Sequence, residues 1–200
     1  MSSPLSVRDR ILHAAMELFV ERGFAETTTL EIASRARVSK RELYALVGNK
    51  DEILAVCIAN RGDRMRLPEG FSEPADMASL EAALRIYGAT LLRELTDPAV
   101  LEVFRLGIAE AKRSPGIARS LNERGRAPAR AALEALLKSA QAAKLLADGN
   151  VDEMMLHYRG LLWGDAVVWI LLGLEKRPGP KEIERRAQNA TRLFLEVYGR

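Results

Sequence analysis

Three observations about the sequence predict an all-α protein. Apolar residues recur at helical spacing along nearly the whole chain of 200 residues, and no segment shows the strict alternation of a half-buried strand. Several apolar stripes are preceded by Ser, Thr or Asn with Glu three positions later, which is the pattern of a helix start. The hydrophobic fraction of 48% is sufficient for a packed core. We therefore expect a globular, entirely helical chain.

The N-terminal part is expected to contain four helices. From Val7 onward, apolar residues form one stripe, and Gly23 is placed to end this first helix. Three capping boxes follow, in which one side chain accepts a backbone N–H and the glutamate three positions later reaches back. These pairs are Thr28 with Glu31, Ser39 with Glu42, and Asn49 with Glu52. Three further helices are therefore expected to begin near Thr29, Lys40 and Lys50.

The connection between the second and third predicted helices is only about three residues long. It comprises Ala36, Arg37 and Val38, and a helix-turn-helix requires a turn of this length. The net charge of the chain is only +3, so the local clustering of charge carries more information. Four basic residues lie around the turn without an acid among them: Arg35, Arg37, Lys40 and Arg41. We therefore predict an N-terminal three-helix helix-turn-helix domain followed by a linking helix.

A break in the helical pattern marks the predicted domain boundary. Pro68, Gly70 and Pro74 lie in a short span that no regular helix would tolerate. The sequence thus predicts a helix-turn-helix domain at residues 1–66 and a larger helical domain at residues 67–200. Six helices are expected beyond the break, at residues 77–95, 98–112, 115–121, 127–143, 152–174 and 180–198.

Several classes of protein find little support in the composition. Cys57 is the single cysteine, which excludes an internal disulfide framework and fits a reducing cytoplasm. His13 and His157 lack metal-ligand spacing, and the sequence contains no recognisable catalytic triad or phosphate-binding glycine loop. The first ten residues lack the apolar region of an export signal, and the apolar run 161–174 is too short to span a membrane. We expect a cytoplasmic protein with no catalytic residue, metal or cofactor.

The residues around the predicted helix-turn-helix form a specific spaced pattern. They are Gly23-Phe24, Thr27-Thr28, Ile32-Ala33, Ala36, Val38-Ser39, Leu43-Tyr44 and Lys50. This pattern resembles the N-terminal signature of the tetracycline-repressor (TetR) family, and the resemblance covers residues 11–54. In the C-terminal part, residues 104–106, 108–111 and 160–162 look like one large subgroup of that family. Arg37 departs from the pattern, because the family usually has glycine at this position in the turn.

The resemblance implies that the third helix lies in the major groove of double-stranded operator DNA. Lys40 and Arg41, at the N-terminal end of that helix, are expected to contact base edges. Thr28, Tyr44 and Lys50 resemble the phosphate-positioning residues of the family. The predicted DNA-binding residues are Thr28, Arg37, Ser39, Lys40, Arg41, Tyr44 and Lys50. Exposed cations on a helix are often only solvated surface, so that alternative stays open for the basic residues.

The C-terminal domain is expected to form a homodimer and to bind an effector. The predicted helix 152–174 is apolar nearly all round its second half, so a second subunit is the simplest cover for it. The resemblance implies that helices 152–174 and 180–198 form a four-helix bundle across a two-fold axis. A small hydrophobic or amphipathic effector is the expected ligand. The six candidates to line its cavity are also typical of a plain core: Tyr87, Leu91, Phe104, Ile108, Met155 and Trp163.

These patterns together predict a sequence-specific transcriptional regulator. We expect it to bind a palindromic operator as a dimer, to repress, and to be released by a small molecule. The main alternative is a helical ligand-binding or interaction protein that does not bind DNA. An enzyme finds little support, for the reasons given above. When bound to its operator, the protein would be associated with the nucleoid.

Overall fold

The chain is entirely helical in the part that the structure describes, with no β-strand there, as predicted. The structure is a computed structural model, and it describes residues 5–64, 73–109, 111–112 and 115–200. The α-helices are α1 (Val7–Arg22), α2 (Thr29–Ala36), α3 (Lys40–Leu46), α4 (Lys50–Arg64), α5 (Met77–Leu95), α6 (Pro98–Ala109), α7 (Pro115–Ser120), α8 (Ala127–Ala142), α9 (Val151–Trp163), α10 (Ala166–Leu171) and α11 (Pro180–Tyr198). A π-helical segment, Leu121–Arg126, lies between α7 and α8.

The chain divides into two compact units. The N-terminal unit contains Met1–Arg61 and Pro98–Gly125, and the C-terminal unit contains Gly62–Asp97 and Arg126–Arg200. Helices α6 and α7 therefore belong with the helix-turn-helix, although they follow α5 in the chain. The predicted boundary between residues 66 and 67 falls outside the described residues and stays a prediction.

Local hydrogen bonds set the helix starts of the N-terminal unit. The Thr28 hydroxyl accepts the Glu31 backbone N–H at 3.2 Å, and the Glu31 carboxylate accepts the Thr28 backbone N–H at 2.9 Å. Reciprocal pairs of the same kind form at the two other predicted capping boxes. Helices α2, α3 and α4 begin at Thr29, Lys40 and Lys50, so these predictions are confirmed.

One apolar core holds the N-terminal unit together. The stripe predicted on α1 is buried there against Ile32 of α2 and Leu43 of α3, both without exposed surface. Val103 of α6 and Ile117 of α7 join the same core. Burial of a large aliphatic side chain contributes roughly 1.5–3 kcal/mol. The packing of α3 against this core determines which of its residues face outward.

Helices α5, α8, α9 and α11 build the core of the C-terminal unit. Tyr158 of α9 is fully buried there and packs edge-to-face on Phe194 of α11, with ring centroids 5.4 Å apart. The Tyr158 hydroxyl donates to the Leu84 carbonyl of α5 at 2.6 Å. The predicted bounds of α5 and α11 are confirmed residue for residue. Tyr158 thus joins α9 to α5 by a buried hydrogen bond and to α11 by a ring contact.

The predicted continuous helix 152–174 is wrong, because the backbone is interrupted at Gly164. This residue has φ 52° and ψ −121°, a conformation that side chains with a Cβ rarely adopt. Helix α9 therefore ends at Trp163, and the short helix α10 begins at Ala166. The apolar period continues across the break, so periodicity alone could not show it.

The other predicted helices of this part are confirmed with small shifts at their ends. Helix α6 ends by residue 109, because residues 111 and 112 lie in a turn. Helix α7 ends at Ser120 and α8 at Ala142, each one residue earlier than expected. In the described part of the chain, the helices are all too short or too polar to cross a membrane.

Candidate DNA-binding interface

The turn between α2 and α3 comprises Arg37, Val38 and Ser39, one residue later than predicted, because α2 continues through Ala36. Arg37 lies in the left-handed region, with φ 56° and ψ 51°. Its N–H donates to the Ser34 carbonyl at 3.1 Å, and the Val38 N–H donates to the Ala33 carbonyl at 3.0 Å. Such bonds close the C-terminus of a helix, and a non-glycine residue here costs roughly 1–2 kcal/mol. The turn therefore keeps the conformation that glycine favours while exposing a basic side chain.

The outward face of α3 carries Lys40, Arg41 and Tyr44. Leu43 is fully buried, which fixes the rotation of the helix and leaves Tyr44 47% exposed. The Lys40 ammonium lies 5.9 Å from the centre of the Tyr44 ring, and the Tyr44 hydroxyl lies 3.5 Å from the Thr29 hydroxyl. The phenol is therefore positioned at the surface between α3 and the start of α2. It can donate a hydrogen bond to a phosphate oxygen there.

Acidic residues neutralise two arginines beside this face. Arg35 donates to the Glu21 carboxylate at 2.7 Å, and this hydrogen bond lowers the pKa of Glu21 below its ordinary value. Arg22 contacts the Glu31 carboxylate at 2.5 Å. Arg35 therefore does not add to the positive charge of the basic cluster predicted from the sequence. Glu21 of α1 compensates its charge.

Three cations near the turn lack an acidic partner among the described residues, namely Arg37, Lys40 and Arg41. Glu42, the acid closest to them in sequence, is engaged in the capping box. Its carboxylate accepts the Ser39 backbone N–H, and this bond lowers the pKa of Glu42. The surface around the start of α3 therefore carries three cations and one carboxylate, a net positive charge that favours an anionic partner.

Six of the seven predicted DNA-binding residues are brought together on the surface of the helix-turn-helix: Thr28, Arg37, Ser39, Lys40, Arg41 and Tyr44. Thr28 and Ser39 occupy the N-cap positions of α2 and α3. Backbone N–H groups at a helix start attract phosphate, so a capping role is compatible with a DNA contact. Whether these residues contact DNA stays a prediction.

Lys50, the seventh residue, is half-buried and is committed to a loop of its own unit. Its ammonium donates to the carbonyls of Phe24, Thr27 and Ala25, at 2.8, 3.0 and 3.3 Å. It also lies 4.4 Å from the centre of the Phe24 ring. An ammonium has three donors, and all three are used here. Lys50 therefore fastens the loop between α1 and α2 beside Thr28.

Replacing Lys50 with Met is expected to lower the free energy of unfolding by about 1.5–3 kcal/mol, because charge-assisted hydrogen bonds to three carbonyls are lost. The matched control is Lys40→Met, which removes an exposed ammonium and should change stability by less than about 0.5 kcal/mol. Urea denaturation followed by circular dichroism measures both. Equal stabilities of the two variants would contradict the structural role of Lys50.

The six predicted effector-lining residues are divided between the two units. Tyr87, Leu91, Met155 and Trp163 belong to the core of the C-terminal unit or pack against it. Phe104 and Ile108 lie on α6, which is grouped with the helix-turn-helix, and Ile108 is 66% exposed. The first four therefore share one unit, while the lining of a cavity by all six stays a prediction.

One contact of the interface could not be found by sequence reasoning. The Arg10 guanidinium of α1 donates to the Ala36 carbonyl at the end of α2, at 3.3 Å. This bond satisfies a carbonyl that a helix end leaves free and supports the turn that follows. The two residues are 26 positions apart, so no local pattern links them.

Profiles of two protein families match the chain. Residues 11–57 match the family described as "Bacterial regulatory proteins, tetR family". Residues 82–200 match "AefR-like transcriptional repressor, C-terminal domain". Both the helix-turn-helix and more than half of the chain are therefore accounted for by families of transcriptional regulators.

Similar curated proteins are also transcriptional regulators. The HTH-type transcriptional repressor Rv3405c of Mycobacterium tuberculosis is 34% identical over 87 residues, which are 44% of this chain and 45% of that protein. The HTH-type transcriptional regulator HbdR of Aromatoleum is 38% identical over 74 residues, or 34% of this chain and 32% of that protein. The chain thus spans less than half the length of these relatives.

Solved structures extend the similarity to nearly the whole chain. A TetR transcriptional regulator from Agrobacterium tumefaciens superposes with a TM-score of 0.80 at 28% identity, covering 98% of this chain and 96% of that one. The Flavonoid-responsive Regulator FrrA superposes with a TM-score of 0.71 at 27% identity, covering 96% and 97%. The chain, with its helix-turn-helix and its helical C-terminal unit, belongs to the TetR family of bacterial transcriptional regulators.

Proposed function

We propose that this protein is a ligand-responsive transcriptional repressor that binds a palindromic operator as a homodimer. The observation that carries the proposal is the surface of the helix-turn-helix at the start of α3. There, Lys40, Arg41 and Arg37 are exposed cations without acidic partners among the described residues. A protein that had lost DNA binding would have little reason to keep this arrangement, and the family matches do not favour that alternative.

The predicted residues divide into three groups by their task in this proposal. Lys40 and Arg41 contact base edges in the major groove, where arginine can bind guanine through two hydrogen bonds. Tyr44 donates to a phosphate. Thr28, Ser39 and Arg37 also contact the backbone, the first two at helix starts and the third from the turn. Lys50 acts indirectly, by holding the loop that precedes Thr28.

Exposed apolar side chains on the last three helices and the segment between them support the proposed homodimer. They are Leu156, Leu161, Val168, Trp169, Leu172, Leu174 and Val197. Large apolar residues exposed in such number on one unit are typical of a protein interface. We infer that a second copy covers them and that the helices of the two copies form a four-helix bundle across a two-fold axis.

Release by an effector follows from a shift between two conformations of the dimer. One conformation holds the two α3 helices about one turn of DNA apart, which matches a palindrome. A small hydrophobic or amphipathic molecule that binds the C-terminal unit more tightly in the other conformation lowers the affinity for the operator. The name of FrrA describes a regulator that responds to a flavonoid, which supports an effector of this size and character.

The remaining parts of the proposal follow from the action on DNA. The protein works in the cytoplasm and is associated with the nucleoid when bound to its operator. We propose no catalytic residue, metal or cofactor, in keeping with a family of regulators. We also propose that the DNA-binding domain spans residues 1–66 and the sensing and dimerisation domain residues 67–200.

The test is selection of duplexes from a random DNA pool, followed by sequencing, at one fixed salt concentration. We expect a palindrome to be enriched by the wild type. Arg41→Ala should relax the preference at one position of each half-site, since a bidentate base contact discriminates by roughly 1–3 kcal/mol. Tyr44→Ala should weaken binding to all sequences evenly, because a phosphate contact carries no sequence information.

Glu134→Ala serves as a control for these two variants, because Glu134 lies on α8 in the C-terminal unit, where it pairs with Lys138. It should leave both the palindrome and the affinity unchanged. Failure of a folded dimer to enrich any sequence would contradict the proposal and favour a ligand-binding protein without DNA binding. A relaxed preference in Tyr44→Ala instead of Arg41→Ala would reverse the assigned tasks.

A further inference from the structure

The hydroxyl of Tyr87 is the unusual polar group of the C-terminal unit. Tyr87 lies on α5 with only 2% of its surface exposed, yet its hydroxyl has no hydrogen-bond partner among the described residues. The neighbouring Tyr158, with its ring 6.1 Å away, donates to the Leu84 carbonyl and contacts the Thr191 hydroxyl. A buried phenol usually finds a partner. Of this tyrosine pair, only Tyr87 keeps an unused donor.

The free hydroxyl of Tyr87 is not sealed inside the protein. Among the described residues, no fully enclosed side-chain oxygen or nitrogen lacks a partner. Since the Tyr87 oxygen is unpartnered, it keeps a small accessible surface and is not fully enclosed. Burial raises the pKa of Tyr87 to about 12, so the phenol keeps its proton at neutral pH. It is therefore a hydrogen-bond donor at the edge of the core.

A second unpartnered donor lies beside it, on α9. The Arg159 guanidinium is half-buried and lies 5.0 Å from the centre of the Trp163 ring. It forms no ion pair or hydrogen bond with the described residues. Burial lowers the pKa of Arg159, and the nearby Arg126 lowers it further. Arginine remains charged in proteins, so a partly desolvated cation stands here without a counter-charge.

The two donors lie in the same neighbourhood, because Arg159 directly follows Tyr158 on α9 and the Tyr158 ring lies 6.1 Å from the Tyr87 ring. The charges of Arg159 and Arg126 both act on the Tyr87 phenol, against the effect of its burial. Arg126 is exposed and also has no acidic partner among the described residues. Arg130, a little further along α8, is instead paired with Asp152 at 2.8 Å. All of these residues belong to the C-terminal unit, so the cluster does not depend on the placement of the other unit.

We propose that Tyr87, Arg159 and Trp163 form the effector site of this protein, and that the effector is a small organic acid with an apolar body. The carboxylate accepts hydrogen bonds from the Tyr87 hydroxyl and the Arg159 guanidinium. The aromatic or aliphatic body packs on the Trp163 ring at the edge of the core. The proposal rests on the proposed function, because it takes the C-terminal unit to be the sensing unit.

The test compares carboxylates with neutral amides of the same shape. Full-length protein is titrated with 2-naphthoate and octanoate, and with 2-naphthamide and octanamide, by isothermal calorimetry. We expect at least one acid to bind, and the matching amide to bind about tenfold or more weakly, because a charge-assisted hydrogen bond is lost. Arg159→Gln should weaken binding of the acid by a similar factor. Tyr87→Phe should weaken binding of the acid several-fold.

Two control variants separate the site from general effects. Lys138→Gln removes one positive charge from the exposed surface of α8 and should leave acid binding unchanged. Tyr158→Phe removes a hydroxyl that donates to the Leu84 carbonyl within the protein. It should therefore reduce stability and leave acid binding to the folded protein unchanged. Tyr87→Phe should fold as well as wild type, because its hydroxyl has no partner to lose. Tyr87→Phe therefore still tests the proposed site if Arg159→Gln does not fold.

The outcomes distinguish this site from the regulator itself. Any of three results would overturn the proposed site. The acid and its amide could bind equally well, wild type and both site variants could bind the acid equally well, or neither acid could bind. The DNA selection described above is run on the same preparations. If an operator is enriched but no acid binds, the proposed site is wrong and the proposed repressor function still holds. Acid binding that depends on Arg159, without an enriched operator, supports the site and overturns the repressor.

Discussion

Leu172→Glu is expected to convert the protein from a dimer into a monomer. Leu172 is 63% exposed and lies at the end of α10, among the apolar residues that we assign to the dimer interface. A glutamate there would be buried without a partner in each copy, and burying an unpaired charge costs several kcal/mol. Sedimentation of the variant and the wild type measures the change. The isolated fold should persist, because the side chain is exposed in the single chain.

The same variant should lose operator binding. A dimer places two α3 helices on one palindrome, and linking two binding events raises the overall affinity by about a hundredfold or more. We therefore expect a loss of about this size for Leu172→Glu, measured by fluorescence anisotropy on the selected palindrome. Ala135→Glu puts the same charge on the exposed surface of α8 and should change neither property. A dimeric Leu172→Glu would refute the assigned interface.

Gly88→Val is expected to destabilise the C-terminal unit strongly. A Cβ built at Gly88 would lie 2.6 Å from the Tyr158 hydroxyl, 3.0 Å from a Leu162 methyl group and 3.4 Å from the Ala187 Cβ. Helices α5, α9 and α11 therefore meet too closely at this point for a side chain. Added volume in a packed core costs about 1–3 kcal/mol, and here it also displaces a hydroxyl from its buried hydrogen bond.

Alanine at the same position should destabilise the protein less than valine, by an amount that can be measured. Gly88→Ala should lower the free energy of unfolding by about 2–3 kcal/mol, because the Tyr158 hydroxyl must move. The control is Gly116→Ala on α7, where a Cβ meets nothing within 4 Å. Replacing an open glycine within a helix should raise stability by roughly 0.5–1 kcal/mol. Denaturant titration of the two variants compares them, and equal stabilities would contradict the close approach at Gly88.

Helix starts could be predicted from the sequence because their causes are local. Thr28, Ser39 and Asn49 each bond with a glutamate three positions away, so the sequence contains both partners of every bond. The break at Gly164 was missed for the opposite reason. Glycine is tolerated within helices, and its positive φ here depends on how the chain packs after Trp163.

The charge of the DNA-binding surface could be predicted only in part. Lys40 and Arg41 are exposed because the buried Leu43 sets the rotation of a short helix, which the apolar pattern indicates. The ion pair of Arg35 with Glu21 joins two helices, and local spacing does not contain it. The resemblance likewise implies a phosphate contact for Lys50, whereas its three carbonyl partners lie more than twenty positions earlier in the chain.

The all-α class, the helix-turn-helix with its capped helix starts, and the resemblance to a family of regulators could be predicted from the sequence, because each depends on residues close together in the chain. Tertiary structure decided the grouping of α6 and α7 with the N-terminal unit, the commitment of Lys50 to a loop, and the unused donors of Tyr87 and Arg159. These features depend on contacts between distant segments. Their geometry exists only once the helices have packed.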